Sequence, residues 1–190
     1  MIATTTLARI HTHLPGTTPY FGERMWVRLL AHLGKTKADD EPLTIAQILE
    51  SNGFEDALWC LRAVDGLDRE CRLYAVWCAR QVQHLMTAHS IQTLDVAEQF
   101  ANGLASPEQL NAVGEDDWEN EEYQDNVAGA AWEAARAAAG KAAWGAALCA
   151  AGATAQNIVG AKAKAAARDA AKATQTTEFI RRFCTQEVPA

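Results

Sequence analysis

The 190-residue sequence contains no stretch of about 18 residues that is both uncharged and strongly apolar, so a membrane-spanning helix is not expected. Its first residues lack a basic region followed by an apolar stretch, which excludes the secretory-signal pattern. Five cysteines occur, an odd number with no Cys-x-x-Cys pair, so neither a disulfide framework nor a structural zinc site is expected. The expected compartment is the reducing cytoplasm. Sustained period-two alternation is missing, and no strand is expected. No GxSxG, HExxH, P-loop or dinucleotide-binding glycine pattern is present. The most informative gap concerns charge: residues 81–125 hold ten acids and not one lysine or arginine.

What is present reads as helix. Helical stops and starts punctuate residues 1–113. Leu7, Ile10 and Leu14 recur at helical spacing before Pro15-Gly16. Trp26, Leu29, Leu30 and Leu33 form an i, i+3, i+4, i+7 stripe that Gly34 closes. Thr44-Ile-Ala-Gln47 has capping-box form and opens a helix ending at Gly53. Phe54 to Val64 makes another, closed by Asp65-Gly66. Asp68 is placed to cap the longest early helix, which extends to about Met86. Leu73, Val76, Trp77 and Arg80 lie on one face of it, widened by Tyr74, Cys78 and Leu85. Ser90 is placed to cap a helix through Leu94, Ala97 and Phe100. Ser106-Pro-Glu-Gln109 joins a serine cap, a first-turn proline and a glutamine at the third helical position.

The texture then changes. Hydrophobic residues make up 49% of the chain, but 39 of them are alanines, and 25 of those lie in the last 65 residues. Alanine has the best helix propensity, so helix is favoured there without help from packing. Gly152 followed by Thr154 marks a turn that gives two helices in a hairpin; one long bent helix is the alternative. Trp132, Trp144, Leu148, Ile158, Phe179, Ile180 and Phe183 are expected to carry the burial of this tail. The expected organisation is a helical core over 1–113, an acidic segment over 114–126 and an alanine-rich helical hairpin over 127–190, packed as one unit. The fold class is all-α, a helical bundle or short solenoid of seven to nine antiparallel helices.

Charge is segregated along the chain. Residues 1–37 carry five basic groups and one acid, 38–125 four and nineteen, and 126–190 eight and four. Within Glu115 to Asp125, seven of eleven residues are acidic. Two readings stand: a solvated surface that pairs with the basic tail, or a docking face for a basic partner, where complementarity speeds encounter and selects the partner. For docking, the candidate residues are Glu115, Asp116, Asp117, Glu119, Glu121, Glu122 and Asp125, with Trp118 and Tyr123 as aromatic anchors. Carboxylates spaced like phosphates can occupy a groove built for nucleic acid. The chain itself, at a formal net charge of −7, is not expected to bind nucleic acid.

Catalytic and metal signals are weak. His11 and His13 lack a neighbouring carboxylate or cysteine, and His84 and His89 flank a turn. Cys78 and His84, six apart, lie about 120° from one another around a helix. Cys60, Cys71 and Cys78 read as small core residues. Asp68 and Arg72 are spaced for an i, i+4 ion pair. No enzyme activity, metal or cofactor is expected.

The runs KTKADDEP (Lys35–Pro42), ILESNGFEDALWCLRAV (from Ile48), RLYAVWCARQVQHLM (from Arg72) and LDVAEQFANGLAS (from Leu94) resemble a group of alanine-rich helical proteins of phage and prophage genomes. The resemblance covers most of residues 29–184. It is specific from Ile48 to Ser106 and compositional after Ala128. Trp77-Cys-Ala79 and Phe100–Gly103 are also similar to a bacterial immunity-protein family. Glu115–Asp125 departs from the pattern, which continues as Ala/Arg/Glu helix in the group. The phage resemblance implies an accessory protein that inhibits a host defence system, of anti-CRISPR or anti-restriction type. Its partner would be a nucleic-acid-binding defence protein such as a CRISPR effector, in the bacterial cytoplasm. The immunity resemblance implies, as the alternative, neutralisation of a toxin by direct binding. Neither brings catalytic residues. A homodimer through the alanine-rich helices is a further expectation; a membrane partner is not.

Overall fold

A computed structural model describes residues 2–14, 19–115, 126–136, 139–156 and 158–185; side chains at 19–21, 114, 115, 126–129, 136, 139, 141 and 142 are outside the description. The fold is all-α. Ten helices occur among the described residues: α1 Leu7–His13, α2 Pro19–Leu33, α3 Ile45–Asn52, α4 Phe54–Cys60, α5 Asp68–Arg80, α6 Ala88–Ala101, α7 Pro107–Glu115, α8 Asn126–Arg136, α9 Ala139–Ala153 and α10 Ala161–Phe179. A π-helical turn, Ile180–Cys184, follows α10. This is one more helix than the upper expectation, because the alanine-rich tail forms three rather than a two-helix hairpin. The contacts divide the chain into two compact units, Met1–Gly66 with Glu178–Ala190, and Leu67–Thr177. These limits differ from the expected segments 1–113, 114–126 and 127–190.

The first unit contains the one correction to the absence of strands. β1 (Thr4–Thr6) pairs antiparallel with β2 (Pro42–Thr44), Thr5 opposite Leu43. The pairing follows from helix capping. An N-cap residue adopts extended backbone angles, and each strand ends in one. Thr6 caps α1 by accepting from Arg9 N at 3.2 Å, and Thr44 caps α3 by accepting from Gln47 N at 3.2 Å. Gln47 Oε1 in turn accepts from Thr44 N at 2.9 Å, so the capping box forms as the sequence indicates. Three-residue strands are too short to show alternation.

Leu7, Ile10, Met25, Leu29, Ile45, Ile48, Leu58 and Leu61 fill the interior of this unit. Phe179 and Phe183 enter the same interior from the end of the chain. Phe179 meets Phe54 edge-on at 5.6 Å and Phe183 at 5.2 Å, and Ala3 N donates to Phe183 O at 2.9 Å. Between α3 and α4 the chain reverses at Gly53, whose φ of +89° a residue with a Cβ rarely adopts.

In the second unit α5 packs against α6, α8 and α9, and α8 packs against α9. The buried face of α5 is Cys71, Tyr74, Ala75, Val76, Cys78 and Ala79: the expected Tyr74, Val76 and Cys78 are on it, whereas Leu73, Trp77 and Arg80 are half-buried. Small side chains are buried there because α9 meets α5 with alanines. α5 ends at Arg80 rather than near Met86, and a 3-10 turn, Gln83–Leu85, follows. Asp68 is its first helical residue, not its cap. α6 is capped by Thr87, which accepts from Ser90 N at 3.2 Å, so Ser90 is inside the helix. Ser106 and Gln109 form the expected reciprocal pair at the start of α7, at 3.3 and 2.8 Å.

The alanine-rich tail differs from expectation in what it buries. Ala130, Ala131, Ala134 and Ala135 of α8, and Ala143, Ala146, Ala147, Ala150 and Ala151 of α9, are themselves the interior. Trp132, Trp144, Leu148 and Ile158 are only partly covered, and Ile180 is exposed. Methyl groups let backbones approach closely. At Gly145 a Cβ would meet the end of the Glu133 side chain of α8, which would have to move aside.

Candidate functional site

The acidic segment is flanked by α7 and α8, which pack on one another and on α6. Glu115 is the last residue of α7, with its side chain outside the described residues. Asp116, Asp117, Trp118, Glu119, Glu121, Glu122, Tyr123 and Asp125 also lie outside the described residues. What the structure adds is how the other acids of residues 38–125 are used.

Many of these are matched to cations. Arg80 projects between two carboxylates of α6, donating to Asp95 at 2.8 Å and Glu98 at 2.6 Å, and to Gln83 Oε1 at 2.8 Å. Lys35 contacts Asp39 at 2.5 Å and Glu41 at 2.6 Å, which raises the lysine and, with the Lys35 hydrogen bond as the main cause, lowers Asp39. Arg9 pairs with Asp65.

Asp56 is used differently. It is buried at the start of α4 and accepts from Asn52 Nδ2 at 3.0 Å. The same Nδ2 donates to Met25 O at 2.9 Å, and Ser51 Oγ donates to Asn52 Oδ1 at 2.7 Å. Burial pushes the Asp56 carboxyl above its ordinary range, while the Asn52 hydrogen bond and the nearby Arg24 and Arg28 act against it. This chain ties α2, α3 and α4 together. Its sequence signal is the i, i+4 spacing of Asn52 and Asp56 across Gly53.

Two arginines lie over aromatic rings. Arg62 Cζ is 4.3 Å from the Trp59 ring centre, and Arg72 Cζ is 5.0 Å from that of Phe100. Arg72 therefore meets a ring rather than making the expected close ion pair with Asp68; guanidinium stacks well because it is flat and weakly hydrated. Such a contact joins residues 28 apart in sequence and has no local signature.

The histidines and thiols take separate places. His11 lies against Trp26 at 5.2 Å. Burial, then Arg62 and Arg9, hold His13 below its usual value. Cys78 is buried while His84 is exposed. Cys60, Cys71 and Cys78 are all buried core residues, as their apolar surroundings indicate. Burial raises the Cys71 thiol to about 12 and Cys60 further. Among the described residues no three His, Cys, Asp or Glu side chains are grouped to hold a metal. No described helix is long and apolar enough to cross a membrane.

Comparison with known proteins finds no match: no family model, no curated protein and no solved structure matches the chain.

Proposed function

We propose that the chain is a non-catalytic, phage- or prophage-encoded binding protein that inhibits a host defence system. Its acidic segment, Glu115–Asp125, would block the basic nucleic-acid-binding surface of a defence protein of CRISPR or restriction type. The observation that carries this is the distribution of negative charge. Asp39, Glu41, Asp65, Asp95 and Glu98 are matched to Lys35, Arg9 and Arg80 within the fold. The seven acids of Glu115–Asp125 have no lysine or arginine anywhere in residues 81–125. The flanking helices α7 and α8 belong to a packed unit, so both ends of the segment are anchored. Trp118 and Tyr123 supply the aromatic area that interface centres favour. The phage resemblance of Ile48–Ser106 supports the biological setting.

The test is capture of host CRISPR effectors and restriction enzymes by the purified protein, paired with a phage infection assay. Replacing Glu115, Asp116, Asp117, Glu121 and Glu122 by lysine is expected to abolish capture and protection together. Capture by the unaltered protein is expected to weaken steeply between 0.05 and 0.5 M salt, roughly as the Debye length contracts. Unchanged capture by the reversed variant removes the acidic segment from the interface. Failure to protect any phage removes the anti-defence role, and recovery of a toxin instead supports the immunity alternative.

A further inference from the structure

Between Ala161 and Thr177, α10 buries one residue fully: Gln175, at 2% exposure. Gln175 Nε2 donates to Ala147 O of α9 at 2.9 Å, and its backbone carbonyl accepts from Tyr74 Oη of α5 at 3.0 Å. This stretch of α10 is thus anchored mainly by hydrogen bonds at one residue rather than by an apolar stripe. Beside that anchor is a cavity of about 300 Å3. Ala150 of α9, Ala167, Ala170, Thr174 and Gln175 of α10, and Gln81 after α5 contribute to its wall.

The wall holds one buried acceptor without a partner. Gln175 Oε1 is buried and has no hydrogen-bond donor among the described residues. Thr174 Oγ1 is engaged as a donor to Ala170 O at 3.1 Å, and Gln81 Nε2 to Trp77 O at 3.2 Å. Thr154, also in the wall, donates to Ala151 O at 2.8 Å. Each of the two glutamine Nε2 groups donates one of its two N–H bonds, but Gln175 Oε1 is the buried polar atom of the wall that meets no donor among the described residues, and a buried acceptor left without one is costly. Among the described residues no lysine, arginine or carboxylate lines the cavity. Helix geometry explains this: Ala170, Ala171 and Thr174 lie within about 60° of Ala167 around α10, whereas Arg168 and Lys172 lie about 100° and 140° away. Methyl groups make up most of the remaining wall, which suits a flat apolar body.

We infer that this cavity binds a small uncharged molecule carrying an amide-type N–H donor on a flat apolar frame, the N–H directed to Gln175 Oε1. Gln175 Oε1 is buried, so the inference includes an outward shift of α10 on binding that brings the acceptor to the ligand. The inference rests on none of the residues Glu115–Asp125, so it and the proposed inhibitory role stand or fall independently.

Benzamide is the probe, titrated into the full-length protein and followed by 15N–1H NMR. Saturable shifts are expected at Ala150, Ala167, Ala170, Thr174 and Gln175. Methyl benzoate, which keeps the ring and lacks the donor, is expected to bind about tenfold more weakly or worse, since a site built around a hydrogen bond rejects the analogue without it. Ala170 is exposed, so Ala170→Leu can fill the cavity without disturbing the interior. That variant is expected to keep the parent circular dichroism and lose the benzamide shifts. Gln175→Met is expected to lose at least tenfold in affinity; if it does not fold, Ala170→Leu decides alone. Absence of saturation, equal binding of methyl benzoate, or undiminished binding by Ala170→Leu overturns the inference. So does a crystal soaked in benzamide that shows only a water on Gln175 Oε1.

Discussion

The interior of the first unit and the α8–α9 pair of the second are built from side chains of different size, and they fail in opposite ways. In the first, Leu, Ile, Met and Phe side chains from α1 to α4 and from the end of the chain interlock. Each large side chain brings much apolar area, and its removal leaves a void. In the second, α8 and α9 meet through alanines, and Gly145 makes room for Glu133. Each alanine buries little at about 25 cal/mol per Å2, but each also sets how closely two backbones approach. One interior is sensitive to loss of volume, the other to its addition.

The largest expected effect is therefore in the first unit. Phe179 is fully buried between Phe54 and Phe183. Phe179→Ala should cost about 3–5 kcal/mol, the range for deleting a buried aromatic ring. Urea denaturation measures it. A loss below about 1 kcal/mol would mean that the surrounding helices collapse into the space, and that this interior is less tightly interlocked than its geometry indicates.

A smaller effect of opposite origin is expected in α9. Ala146 is fully buried. Ala146→Leu adds apolar area, yet it should destabilise by roughly 1–3 kcal/mol because the neighbouring backbone has to move. The same leucine at exposed Ala166 of α10 should be close to neutral. If Ala146→Leu stabilises instead, then α8 and α9 are separated by unfilled space, and the contrast between the two interiors fails.

The same contrast explains which features the sequence announced. The Thr44–Gln47 and Ser106–Gln109 caps were readable because capping is local chemistry, complete within four residues. The all-α class followed from helical spacing and alanine propensity in the same way. The buried face of α5 was readable only in part: helical spacing selects Tyr74, Val76 and Cys78, which are buried, but a hydrophobic-size rule adds Leu73 and Trp77, whereas an alanine-faced neighbour selects Cys71, Ala75 and Ala79. For the same reason the tail buries its methyl groups more fully than Trp132 and Trp144, while Phe179 and Phe183 are buried as expected. Return of Phe179 and Phe183 to the first unit joins residues more than a hundred positions apart, which no local pattern encodes. The acidic segment is the reverse case. Its charge is plain in the sequence, and what the described structure adds is the pairing of other acids elsewhere in residues 38–125.

The smallest expected effect concerns the segment that closes the first unit. Glu178 lies three and four residues before Arg181 and Arg182 and bonds to both, at 2.7 and 2.6 Å. The hydrogen-bonded Arg181 is the main cause that holds its carboxyl down to about 2, against the upward push of its own burial, with Arg182 adding to the lowering. A carboxyl lowered from its ordinary 4.5 in the folded state contributes stability that is fully present above that value. It is lost as pH falls from there through about 2. For a fully buried pair such a shift is worth roughly 3 kcal/mol. The Arg181 side chain is 58% exposed, however, and solvent screening brings the expected contribution nearer 1 kcal/mol. Glu178→Gln should therefore lower stability by about 1 kcal/mol at pH 7. The gap between variant and parent should narrow below pH 4.5 and close near pH 2. Thermal unfolding of both proteins across that range measures it, at fixed ionic strength so that screening stays constant. A gap that persists unchanged at pH 2 would show that Glu178 acts through packing rather than charge.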